Sequence, residues 1–188
     1  METTPRKRRK ESSDAIDPEK AKVVTIQYQQ INPLSSDPIG ALVILKEWQS
    51  SEKDILRDFA KVFLKPNPFD FVPIGFNLVG FDFPMLIQKF KKHRIADICF
   101  HKFVRDKPHI DIKPILILAN KGQFKGCKLS RFTGKPDYGC KVPEWYSRRK
   151  YSKIVRYVTQ ECTEFLKLYR HMREGIPGIL RPVLLDTK

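Results

Sequence analysis

The chain has 188 residues, 41% of them hydrophobic and 11% aromatic, with 36 lysines and arginines against 21 acidic residues and a formal net charge of +15. That composition excludes a wholly disordered chain and is long enough for one domain with a real core. No apolar run reaches bilayer-spanning length and the basic start carries no apolar signal core, so no membrane partner is expected, and the charge selects a polyanion, nucleic acid first.

The residues up to about 20 are polar and turn-rich, with the run Arg6-Lys7-Arg8-Arg9-Lys10 inside them. They read as a loop or arm (1–20), whose cations are either solvated, a phosphate-binding arm, or a nuclear localisation signal if the source is eukaryotic. Val23 to Gln29 is β-branched and aromatic, and 41–45 is a second apolar run, so the two are expected to pair as antiparallel strands. Ser50 or Ser51 caps a helix whose apolar face is Ile55, Leu56, Phe59, Val62 and Phe63, ended by Lys65-Pro66-Asn67-Pro68.

Next comes Pro73-Ile74-Gly75-Phe76-Asn77-Leu78-Val79-Gly80-Phe81-Asp82. It reads as a short strand and a turn. Phe83, Leu86, Ile87 and Phe90 then mark a helix with Pro84 in its first turn. Asp82 falls at the N-cap, where a carboxylate accepts from the first free N–H groups. Lys89, Lys91, Lys92, His93 and Arg94 crowd the end of this helix, facing either its dipole or phosphates.

Asp111 precedes an apolar run, 114–118, which is either a short strand or a buried helix. Lys121, Lys125, Lys128, Arg131 and Lys135 then alternate with glycines and with Phe124 and Phe132. Such a segment suits single-stranded nucleic acid, or is an ordinary connection with its rings in the core. Residues 146–173 carry a long apolar stripe through Ile154, Val158, Cys162, Phe165, Tyr169 and Met172, with Gly175 as a stop and a tail over 176–188. Cys99, Cys127, Cys140 and Cys162 are widely spaced and form no CxxC pair, so no zinc site is expected, and most should be buried thiols of a reducing compartment.

Asn77 followed by Phe81-Asp82 resembles the second motif of the DEDD-type 3′-5′ exonucleases, most closely the proofreading domain of family B DNA polymerases. Tyr157-Val158-Thr159-Gln160-Glu161 resembles the family's third motif, Tyr-x-x-x-Asp, with Glu for Asp. Met1-Glu2-Thr3-Thr4 matches the end of its first motif, Asp-x-Glu-Thr-Thr, whose Asp and strand would precede Met1.

The resemblance implies an α/β, ribonuclease H-like mixed β-sheet flanked by helices and lacking its first strand, over 21–175. It implies a 3′-5′ exonuclease on single-stranded DNA ends, using two Mg²⁺ or Mn²⁺ ions, with an activity the two departures would impair. Glu2, Asp82 and Glu161 become metal ligands, Tyr157 orients the attacking water, and Asn77 and Phe81 contact substrate. Lys125, Lys128 and Arg131 would bind phosphates, and Asp111 would support the site from behind. A replication or repair partner and a cytoplasmic, nucleoid-associated location fit that reading. The competing readings are a non-catalytic nucleic-acid-binding module on the same fold and a basic nuclear adaptor.

Overall fold

The computed structural model describes residues 20–133 and 139–185, with 176–185 as backbone only. Glu2, the 6–10 cations and Lys135 lie outside the described residues, as do the side chains of the apolar patch at 183–185.

Strand β1 (Thr25–Tyr28) pairs antiparallel with β2 (Val43–Lys46), Ile26 facing Leu45 and Gln27 facing Ile44, as the patterning predicts. In the connection, Asn32 Oδ1 accepts from the N–H groups of Leu34 (2.8 Å) and Ser35 (3.1 Å), a local turn that asparagine favours. Helix α1 (Glu52–Phe63) starts at Ser51, whose hydroxyl accepts from Asp54 N–H at 3.1 Å. Its predicted face buries Ile55, Leu56, Phe59 and Phe63.

Strand β3 (Ile74–Gly75) leads through a π-helical turn, Leu78–Asp82, into α2 (Phe83–Lys92). After α3 (Phe100–Asp106), strand β4 (Ile110–Asp111) runs parallel to β3, with Ile74 facing Ile110 and Gly75 facing Asp111. Residues 114–118 are helical, within α4 (Ile112–Ala119), because Asp111 caps it by accepting from Lys113 N–H at 3.1 Å and Pro114 fits its first turn. Short helices α5 (Leu129–Phe132) and α6 (Val142–Ser147) precede α7 (Tyr151–Leu185).

The architecture is mixed α/β, but the described strands form two separate two-stranded sheets rather than one mixed sheet. Proline limits β3 and β4: Pro73 and Pro108 stand just before them without an N–H to donate, and the π turn begins three residues after Gly75.

The long C-terminal helix also departs from expectation. It does not begin at Tyr146, because α6 closes with paired bonds, Arg149 N–H to Tyr146 O (3.0 Å) and Lys150 N–H to Trp145 O (2.8 Å). Arg149 sits in the left-handed region at φ 54°, the place a glycine usually takes in this terminator. At its other end, Gly175 has no positive φ and α7 passes through it, so the expected boundary at 175/176 falls inside a helix. A glycine weakens a helix by about 1 kcal/mol but stops it only by turning left-handed.

Two apolar clusters result. The first joins Ile26, the buried face of α1, and Phe83 and Phe90 of α2. The second joins Ile112 and Leu116 of α4 to Leu168, Tyr169 and Met172 of α7. The 74–79 segment packs on both, Leu78 and Val79 on the first, Ile74 and Phe76 on the second. A turn held between two cores is a well-fixed platform for side chains.

Candidate functional site

The π turn presents Asp82. Phe83 N–H donates to Leu78 O, five residues back, and Asn77 before it takes φ 66°, ψ 33°. Asparagine tolerates this left-handed geometry better than most residues. Gly80 permits the turn, since a Cβ there would come 2.5 Å from Asn77 Oδ1. The extra residue of a π turn rotates Asp82 out of the capping position: its backbone is helical and its side chain makes no cap bond. The expected N-cap role is therefore not taken.

Asp111 holds the turn from beneath. Its Oδ1 accepts from Asn77 N–H at 2.7 Å and its Oδ2 from Val79 N–H at 3.2 Å. With the Lys113 N–H bond, one carboxylate ties β4, α4 and the turn together. Lys113 Nζ donates to Asn77 Oδ1 at 3.0 Å, fixing the Asn77 amide. Sequence reasoning gave Asp111 a supporting place and overlooked Lys113. The readable signal was an Asp three residues before Pro114, a helix-start pattern.

Burial pushes the Asp82 carboxyl up to about 7, with the negative charges of Glu161 and then Asp111 adding to the shift. The residue as a whole is half-buried. Glu161, on α7, is thus near enough for its charge to be felt at Asp82, although the two lie far apart in the chain. Burial, reinforced by Glu161, also raises the neighbouring Cys162 thiol, which is 3.7 Å from Gln29 Oε1.

Tyr157 lies one turn before Glu161 on α7. Its hydroxyl comes within 3.3 Å of where a Cβ on Gly139 would be, and its ring meets Trp145 edge-on at 6.2 Å. Phe81 is half-buried inside the π turn. Lys125, Lys128 and Arg131 stand exposed along the connection from α4 through α5. Phe124 beside them is 75% exposed and Phe132 38%, so these rings are not core residues.

The cations at the end of α2 divide. Lys89 is 1% exposed, 4.0 Å from Glu52, and His93 Nε2 lies 3.0 Å from the same carboxylate. Glu52 also accepts from Val23 N–H at 2.7 Å. These two side chains join α1 to α2 and do not face phosphates. Lys107, 6% exposed, is a second buried cation that sequence reasoning missed; it lies 5.8 Å from the Phe63 and Phe71 ring centres, and burial lowers its pKa. Of the cysteines only Cys127 is fully buried, while Cys99 and Cys140 are exposed, contrary to expectation; all four are free thiols.

A hard divalent cation suits carboxylate oxygens. Asp82 and Glu161 are both carboxylates, and the charge of Glu161 is felt at Asp82. Asp111 is already occupied by three backbone N–H groups. Among the described residues, no group of three or more His, Cys, Asp or Glu side chains is placed to hold a metal ion. Among them, too, no helix is long and apolar enough to cross a membrane. The chain matches no family model, no curated protein and no solved structure.

Proposed function

We propose that the chain is a metal-dependent 3′-5′ exonuclease-like domain acting on single-stranded DNA ends, on a ribonuclease H-like fold. The observation that carries this reading is the Asp82 carboxyl, which burial, and then the charges of Glu161 and Asp111, push up to about 7. A buried carboxyl that feels the charge of other acids is a common preparation for a cation or for proton transfer. The motif order, Asn77, Asp82, then Tyr157 and Glu161, supports the same reading.

In this account Asp82 and Glu161 hold Mg²⁺ or Mn²⁺, with Glu2 as the further ligand the motif supplies. Such an ion, when bound, would supply charge neutralisation at the phosphate and a more acidic water. Asp111 acts as a positioning residue: its bonds to Asn77 and Val79 fix the turn that aims Asp82. Tyr157, one turn from Glu161, orients the water by its hydroxyl. Asn77, its amide set by Lys113, and Phe81 meet the terminal nucleotide. Lys125, Lys128 and Arg131 draw the strand in through its phosphates.

The second reading, a nucleic-acid-binding module without catalysis, is favoured by the absence, among the described residues, of a group of three or more side chains placed to hold a metal ion. Incubation of 5′-labelled single-stranded DNA with Mg²⁺ or Mn²⁺ separates the two. The proposal expects stepwise shortening from the 3′ end that Asp82→Ala abolishes. Salt-sensitive binding without shortening would leave the binding module.

A further inference from the structure

Where α6 turns into α7, aromatic rings and unpaired cations gather beside Tyr157, mostly on residues the cleavage reading does not use. Trp48, just after β2, stacks on Tyr151 with centroids 4.6 Å apart and planes 5° off parallel. Tyr146 meets Tyr151 at 6.0 Å, and Trp145 meets Tyr157 at 6.2 Å. The cluster is anchored: Tyr146 donates its hydroxyl hydrogen to Glu47, and Lys22 Nζ lies 2.6 Å from Glu47 and 5.2 Å over the Tyr146 ring.

Around these rings Arg148, Arg149, Lys150, Lys153 and Arg156 are all exposed. Arg148 pairs with Glu144 at 3.1 Å. The side chains of Arg149, Lys150, Lys153 and Arg156 make no ion pair or hydrogen bond among the described residues. Lys153, Tyr157 and Glu161 follow one i, i+4 ridge of α7, so the basic end of the helix leads to the acidic site over about 12 Å of helix axis.

We propose that the α6–α7 elbow is a binding surface for single-stranded nucleic acid, lying upstream of the cleavage site along α7. Arg149, Lys153 and Arg156 neutralise successive phosphates, and the Trp48–Tyr151 stack offers a ring face to a base. Phosphates alone would need only the cations; the clustered rings are what favour a strand with unstacked bases over a lipid surface or a closed duplex. The direction of the strand rests on the proposed exonuclease reading, but the binding itself does not.

Binding is therefore measured in EDTA, where no metal-dependent cleavage occurs, with a fluorescein-labelled oligothymidylate of about 16 nucleotides. The triple variant Arg149→Glu, Lys153→Glu, Arg156→Glu should bind at least about tenfold more weakly and lower the slope of log K against log salt by about 2. A control triple with the same change of net charge, Lys53→Glu, Lys65→Glu, Lys92→Glu, should keep the wild-type slope. Both tryptophans of the chain lie at the elbow, so their emission should change when the oligomer binds to the wild type. Equal weakening by the two triples, or tryptophan emission indifferent to bound oligomer, would overturn the proposal. So would an elbow triple that loses anionic phospholipid vesicles but keeps DNA. Matching thermal midpoints for the two triples and wild type exclude misfolding as the cause.

Discussion

Asp82 sets the pH behaviour at the residue scale. Its pKa rises from 3.8 to about 7 on folding, so the folded state holds a proton that the unfolded chain has released across that window. The stabilising contribution is complete below pH about 3.8 and is lost as pH rises through about 7. Asp82→Asn cannot ionise and should remove this slope. At pH 8 the variant should be more stable than wild type by about 2–4 kcal/mol, and near pH 4 the two should agree, read from urea unfolding at each pH.

Asp111 acts in the opposite direction. Asp111→Ala leaves three backbone N–H groups without their acceptor and should cost about 3 kcal/mol in the same experiment. Because one negative neighbour of Asp82 is also removed, the Asp82 pKa should fall in that variant. The roles of these two acids were unequally legible. The strand, turn and helix around Asn77, Phe81 and Asp82 were readable from the glycines and the apolar spacing. The π turn that takes Asp82 away from capping was not, because it depends on Asn77 turning left-handed and on Gly80 making room for the Asn77 amide.

Helix ends explain most of what the sequence hid at the scale of elements. Three helices close with the same paired bonds, and each puts a cation in the left-handed position: Arg94 after α2, Lys121 after α4, Arg149 after α6. A reader searching for glycine passes over all three, and so runs α6 into α7. Glycine tolerates that geometry without a Cβ clash, so Arg94→Gly should raise stability by about 0.5–1 kcal/mol in thermal unfolding, with no change in DNA binding. The contact between α1 and α2 was hidden for another reason. Lys89 looks like an end-of-helix surface cation, yet its position falls on the apolar stripe and Glu52 receives it. Glu52→Gln should cost about 3 kcal/mol, since a buried ammonium then loses its carboxylate neighbour.

The whole molecule keeps the predicted order of strands and helices, and the paired β1 and β2, but not the single sheet. Strand propensity located β3 and β4 only loosely, because prolines before each and the turn after β3 cut them to two residues. What joins the parts is the 74–79 segment, packed on both apolar clusters, the second of which is built on α4 and α7. The net charge of +15 is spread over several exposed groups, and the elbow before α7 concentrates it beside aromatic rings.

The central claim is that Asp82 and Glu161 together form a cation-binding centre. Electron paramagnetic resonance of free Mn²⁺, titrated with protein at pH 8, tests it most directly. Wild type should remove the free-ion signal, and Asp82→Asn and Glu161→Gln should each weaken this by about tenfold or more. Wild type and both variants taking up Mn²⁺ equally, or none of them taking it up, would contradict it.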